Sequence, residues 1–390
     1  MTAGAAIQPA RHIPVLDGVR ALAILLVIPH NVDVLTGPVT SFEYPAVVLM
    51  HTGWIGVQLF FVLSGFLITA NLLDTRGATN YFSAFFARRT LRIMPLYFAT
   101  LLIMLGVAPL VLHALEPLRA TASKQIWLWT FLCNWTQPYE GSVYGFGHFW
   151  SLAVEEQFYL LWPLIVWRCR PQRLLRLCVG IAIGAVLVRA ALAAKQFPHE
   201  ALYMFTPCRM DALALGAAGA AMLRIPSTAE WLRRRAHSIA IGSVAILIGV
   251  AAGTHGFAVY DLSSQLVGYT LIAVAFAAFI TLASLQPAGS MGALLTPLRS
   301  TPMRLIGRYS YGMYVFHLPL HVFVGLPLLQ RLAPQISPTV AFAYSAIMLL
   351  ASFALAALSY ELFERHFLRL KKRLAYKITP TSMALRSEPE

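Results

Sequence analysis

The sequence predicts an all-α fold: a polytopic transmembrane helix bundle of about ten spans with both termini cytoplasmic. Three observations predict it. Of 390 residues, 58% are hydrophobic and only 12% are charged, about half the charged share of an ordinary soluble domain. Apolar stretches close to the roughly 20 residues needed to cross the hydrocarbon recur along the chain. They lie near 17–36, 54–73, 93–113, 149–167, 174–194, 203–223, 238–253, 264–285, 309–329 and 340–363. Alternating them from a cytoplasmic N-terminus puts 24 of the 30 Lys and Arg residues on the inner side and five on the outer, with Arg189 inside a span. That is the bias expected of cytoplasmic loops, and one span more or fewer would scramble it.

In chain order, the opening MTAGAAIQPARHIP has no charged start, apolar core and cleavage site, so the first apolar stretch is expected to stay as a span. The third is preceded by the basic FFARRTLRIMPLYF. KQIWLWTFLCNW, residues 124–135, is apolar but too short to span and suits the interface, where Trp is favoured. The fourth span carries two adjacent carboxylates. The sixth is broken by Arg209 and Asp211, and the seventh is short. Residues 1–375 read as one transmembrane domain and 376–390 as a short polar cytoplasmic tail. The net charge of +14 is explained by topology, so nucleic acid is not expected as a partner. Cys133, Cys169, Cys178 and Cys208 contain no C-x-x-C and suggest no metal site, while a Cys133–Cys208 bridge stays open.

Ionisable side chains inside spans are costly and usually mark a pathway or a site. Asp17 and Arg20 begin the first span, where an N-cap and a snorkelling side chain would also explain them. His30 lies ten residues beyond Arg20, about 15 Å along a helix. Glu155 and Glu156 stand in FWSLAVEEQFYLLWP, one turn after Ser151. Adjacent helical residues point about 100° apart, so each glutamate needs its own partner; a structural ion pair with Arg209 is the plain alternative. Ser64 in GVQLFFVLSGFLIT and His317 in RYSYGMYVFHLPL, which also holds Tyr311, fall near the same depth. A carboxylate, a hydroxyl and two histidines at one level suggest acid–base chemistry in a cavity; satisfied core histidines are the alternative. Arg88, Arg89 and Arg92 suit either positive-inside charge or a clamp for an anionic group, because guanidinium matches phosphate bidentately. Arg209 and Asp211, with the Trp- and Tyr-rich 114–148 loop, are expected to shape an acceptor entrance.

Six stretches, LDGVRALAILLVIPHN, GVQLFFVLSGFLIT, RRTLRIMPLYF, FWSLAVEEQFYLLWP, RMDALALGAA and RYSYGMYVFHLPL, occur in this order over nearly the whole chain. Together they resemble the membrane-bound acyltransferase-3 family. The resemblance implies an O-acyltransferase that takes an acyl group, often acetyl, from acyl-CoA, with no bound cofactor. The usual acceptor is a sugar hydroxyl of a surface polysaccharide, of O-antigen or exopolysaccharide type. It also implies a catalytic first-span histidine, an essential arginine before it, and an Arg-x-x-Arg pair, here Arg89 and Arg92, that serves the donor phosphates. The family commonly places ten residues between that arginine and histidine. Here nine separate Arg20 from His30, and Asn31 occupies the usual position. Such a shift rotates a side chain by about 100° on a regular helix, which a kink at Pro29 would offset. A second departure is His366 in ELFERHF, where the family often has proline.

The expected mechanism has Arg20, Arg88, Arg89 and Arg92 holding the donor and His30 acting as general base or transient acyl acceptor. Glu155 or Glu156 would orient the imidazole, with Asp17, Ser64, Ser151, Arg209, Asp211, Tyr311 and His317 in support. The expected partners are acyl-CoA, a carbohydrate or glycolipid acceptor and the bilayer; the family points to a bacterial inner membrane. The alternatives are an acyltransferase acting on a small molecule or lipid-linked sugar, and a transporter. Buried charges in a bundle fit a transporter equally, but no inverted repeat is visible.

Overall fold

The structure, a computed structural model, describes residues 13–35, 40, 43–107, 116–254, 257–286, 289–333 and 335–377. Within them the chain is helical, with no strand. The principal helices are α1 (Pro14–Asn31), α2 (Tyr44–His51), α3 (Ile55–Thr75), α4 (Tyr81–Leu101), α5 (Trp150–Arg168) and α6 (Pro171–Ala194). They continue as α7 (Thr206–Met222), α8 (Ala236–Gly253), α9 (Tyr269–Ser284), α10 (Thr301–Leu320) and α11 (Pro338–Ser359).

Eight helices among the described residues are long and apolar enough to cross a membrane, or nine if the pair His199–Met222 and Pro226–Arg234, bent by 99°, counts as one span. The remaining expected span is α5. Its 19 residues would reach across, but Glu155, Glu156 and Gln157 lower its hydropathy. The carboxylates that cost α5 its apolar character are those that line the interior. The chain is therefore an integral, multi-pass membrane protein. Apolar side chains that stand out from it, such as Leu187 at 63% and Ile241 at 70% exposure, belong against lipid rather than water.

α1 runs through the interior and packs against α3, α9, α10 and α11, while α3 lies along α7 and α5. Close approach places α1 beside α10. A Cβ on Gly307 would sit 1.9 Å from the Asp17 carbonyl oxygen, so only glycine lets the two backbones meet there.

Two expected boundaries move. The third span, expected from residue 93, begins with α4 at Tyr81, so Arg88, Arg89 and Arg92 lie within the helix rather than at its mouth. Their polar side chains look into a cavity, so lipid does not force the helix to end before them. The C-terminal segment also packs: Tyr376 is buried and its hydroxyl donates to Asn71 Oδ1 at 2.9 Å. The Lys377 amide donates to Asn80 Oδ1 at 2.8 Å. Of the expected tail, Tyr376 and Lys377 thus lie on the bundle, and 378–390 fall outside the described residues. Cys133 and Cys208 are both free thiols, so no bridge joins them.

Candidate functional site: an arginine cavity and a histidine chamber

Three cavities follow one another along α1. The middle one, of about 320 Å³, is lined by Arg20, Arg88, Arg89, Arg92 and Lys371, with Glu155 as its only carboxylate among the described residues. Ser64, Ser151, Tyr159 and Tyr311 also face it. Five of the six donor-site and glutamate positions singled out from the sequence thus converge here: Arg20, Arg88, Arg89, Arg92 and Glu155.

Each cation is held differently. Arg20 Nη1 pairs with Asp17 at 2.5 Å, one turn back on α1. Arg88 donates to the Lys371 and Leu374 carbonyls at 3.2 Å each and faces the Tyr376 ring. It therefore ties the C-terminal segment over the cavity. Arg89 lies over the Tyr159 ring at 3.5 Å, with Glu156 4.0 Å from its Nε. The cation beside Glu156 is thus Arg89, not Arg209. Arg92 and Lys371 make no side-chain hydrogen bond or ion pair among the described residues. Burial and the neighbouring Arg92, Arg88, Arg89 and Arg20 push the Lys371 amine down to about 7. Such a concentration of positive charge around one space attracts anions.

The chamber beyond, of about 210 Å³, holds His30, Asn31, His148, Trp150, Tyr203 and Tyr260. Val57 and Tyr314 line both it and the arginine cavity. Tyr314 forms the wall between them: its hydroxyl reaches the His148 carbonyl at 2.8 Å and Ser151 Oγ at 2.5 Å.

The hydrogen bonds set the histidine tautomers. His30 Nδ1 lies 3.1 Å from the Met50 carbonyl oxygen. A carbonyl only accepts, so Nδ1 carries the proton and Nε2 keeps its lone pair. His317 Nδ1 likewise donates to the Tyr314 carbonyl at 2.6 Å, leaving Nε2 to accept from Asn31 Nδ2 at 2.9 Å. This separates the two neighbours whose register was in question. Asn31 is engaged in holding His317, whereas His30 Nε2 makes no hydrogen bond among the described residues and keeps its lone pair. Gly53 makes the room: a Cβ there would lie 2.7 Å from His30 Cβ and 2.1 Å from the Leu26 carbonyl oxygen.

The expected pairing of His30 with Glu155 or Glu156 does not form; no hydrogen bond or ion pair joins them among the described residues. The level of His30 is met by Trp150 at the start of α5, while Glu155 lies more than a turn further along and faces Ser64 and Tyr159. Met50 takes the orienting part. Arg209 and Asp211 are also elsewhere, fully buried behind the chamber. Asp211 pairs with Arg189 at 2.9 Å and accepts from Thr270 at 2.6 Å. Arg209 sits among Phe61, Trp150, Tyr203 and Tyr269 and donates to Gln58. They stiffen the aromatic wall rather than form an entrance.

Four participants escaped sequence reasoning. His148 is buried with neither ring nitrogen hydrogen-bonded among the described residues, its ring 4.7 Å from that of His317. It stands just before the fourth span and so was not counted as an intramembrane charge. Tyr159 follows Glu155 by one helical turn, a spacing that places both on one face. Tyr314 looked like an ordinary apolar-span aromatic. Lys371 read as one more basic residue of the cytoplasmic end.

Comparison with known proteins shows the family. The sequence profile of a family described as an acyltransferase domain matches residues 13–357. The chain is 27% identical over 373 residues to the peptidoglycan O-acetyltransferase OatA of Listeria monocytogenes, covering 91% of this chain and 55% of that protein. It is 28% identical over 382 residues to the putative peptidoglycan O-acetyltransferase YrhL of Bacillus subtilis, covering 92% and 55%. For the O-acetyltransferase OatA of Staphylococcus aureus, identity is 24% over 328 residues, covering 81% and 51%. The chain thus spans about half the length of these relatives. No solved structure matches. With the profile covering most of its length, the chain belongs to this acyltransferase family.

Proposed function

We propose that this membrane acyltransferase moves an acyl group, acetyl by analogy with its relatives, from acyl-CoA to a hydroxyl of a cell-envelope carbohydrate. The observation that carries the reading is the junction of the arginine cavity with the histidine chamber across Val57 and Tyr314. Donor phosphates suit the cavity, where Arg20, Arg89, Arg92 and Lys371 offer charge-assisted hydrogen bonds. The pantetheine arm then carries the thioester about 15 Å along α1, the helix rise between Arg20 and His30.

In the chamber His30 Nε2 takes the proton of the acceptor hydroxyl as its oxygen attacks the thioester carbonyl. The C–O ester bond forms, the C–S bond breaks, and the proton passes to the departing thiolate. Met50 holds the imidazole in the required tautomer, in the part usually given to a carboxylate. His148 and Tyr314 border the same space and offer partners for the acceptor and the tetrahedral oxyanion, while His317 backs it through Asn31. Glu155 and Glu156 serve the donor side, balancing the arginines. The names of the relatives favour peptidoglycan over O-antigen or exopolysaccharide within this acceptor class. A donor approaching from the cytoplasm and an acceptor from the opposite side follow from the charge asymmetry of the loops.

The test follows thiol release from acetyl-CoA by detergent-purified protein with soluble peptidoglycan fragments. Wild type and Asn31→Ala are expected to release thiol, and His30→Ala to lose about 10²- to 10⁴-fold in kcat. Loss in Asn31→Ala with turnover retained in His30→Ala would overturn the assignment of the base. No release by wild type with any glycan would overturn the donor reading.

A further inference from the structure

The third cavity, of about 590 Å³, lies beside the arginine cavity on the side away from His30. Arg20, Arg92, Tyr311 and Lys371 line both, so the two spaces meet at these residues. The outer cavity adds Arg304 and Arg308, four residues apart and therefore on one face of α10. Its cations, Arg20, Arg92, Arg304, Arg308 and Lys371, outnumber its carboxylates, Asp17 and Glu364, by five to two. Asp17 is already paired with Arg20. Arg308 is held in place: its guanidinium lies over the Tyr360 ring at 4.5 Å and donates to that hydroxyl at 2.9 Å. Tyr360 opens a π-helical turn, Tyr360–Glu364, a local widening that turns its residues toward the cavity. Arg304 makes no side-chain hydrogen bond or ion pair among the described residues.

We propose that Arg304 and Arg308 bind a phosphomonoester dianion at the end of the donor furthest from the thioester, which in acyl-CoA is the 3′-phosphate of the adenosine. This rests on the donor reading above. The reacting end must reach His30 past Tyr314, so the far end lies beyond Arg20 and Arg92, in the neighbouring cavity that those residues also line. A phosphomonoester carries close to two negative charges and presents three acceptor oxygens, which two guanidinium groups one turn apart can bracket. The same chemistry would also take the phosphate of a lipid headgroup, and the experiment separates the two.

The experiment measures KM for acetyl-CoA and for acetyl-3′-dephospho-CoA in nanodiscs of neutral and of anionic lipid. Wild type is expected to show a KM about 10- to 100-fold higher for the dephospho donor, with similar kcat, in both lipids. The Arg304→Ala/Arg308→Ala variant is expected to raise KM for acetyl-CoA by that factor and to leave the dephospho donor unchanged. Arg304→Ala alone, which breaks no side-chain hydrogen bond or ion pair among the described residues, is expected to give part of the same discrimination loss. Equal KM for both donors in wild type would overturn this proposal and leave the donor reading intact. A variant defect equal for both donors, or present only in anionic lipid, would assign the arginines to the fold or to a headgroup. Turnover of neither donor would overturn both readings together.

Discussion

The two ends of α1 solve opposite electrostatic problems. At the Asp17 end, five cations crowd one cavity and overlap in what they do. At the His30 end, among aromatic rings, His30 and His317 each have their Nδ1 proton held by a single main-chain carbonyl. A field made of several charges loses strength gradually as they are removed. A tautomer set by one carbonyl is kept or lost as a unit. The difference teaches where donor affinity and rate should reside: affinity spread over the arginine cavity, rate concentrated on one nitrogen in the chamber.

The comparison breaks most visibly if charge is removed from the arginine cavity. Arg89→Ala/Arg92→Ala is expected to raise KM for acetyl-CoA by about 10²- to 10³-fold while kcat at saturating donor stays within a few-fold. A collapse of kcat with KM unchanged would place these arginines in the chemical step instead. At the chamber, Gly53→Ala must displace the His30 or Leu26 backbone, since its Cβ would lie 2.7 Å and 2.1 Å from their atoms. It is expected to lower kcat by at least about tenfold and to cost about 1–3 kcal/mol of stability, with donor KM unchanged. Thermal melts and kinetics on the same preparation check both.

The smallest effect is expected from pH. Lys371 titrates at about 7, chiefly through burial and then through its arginine neighbours. Its amine is charged below that value and neutral above it, so donor binding should weaken as pH rises from 6 to 8.5, with one proton taken up on binding. A few-fold rise in KM over this range is expected, flattened in Lys371→Arg, whose guanidinium stays charged throughout. A pH profile unchanged in that variant would remove Lys371 from the donor field.

The sequence by itself determined that the chain is a helical membrane bundle, because hydrocarbon admits only long apolar helices at this composition. It also singled out Arg20, Arg89, Arg92, Glu155 and His30, because a charge or imidazole placed in lipid needs a reason. Their grouping was only half legible. Depth along separate helices put His30, Ser64, Glu155 and His317 at one level, yet the fold turns Ser64 and Glu155 to the arginine cavity, His30 to the chamber, and buries His317 against Asn31. A helix rise fixes height to within a turn and says nothing of azimuth, so which side of Tyr314 a residue meets depends on how the helices rotate and lean. The orienting group for His30 was invisible for a related reason: it is a main-chain carbonyl, and every residue has one. Only the packed structure decided that Met50 supplies it, that Gly53 leaves it room, and that Asn31 is engaged with His317 286 residues away.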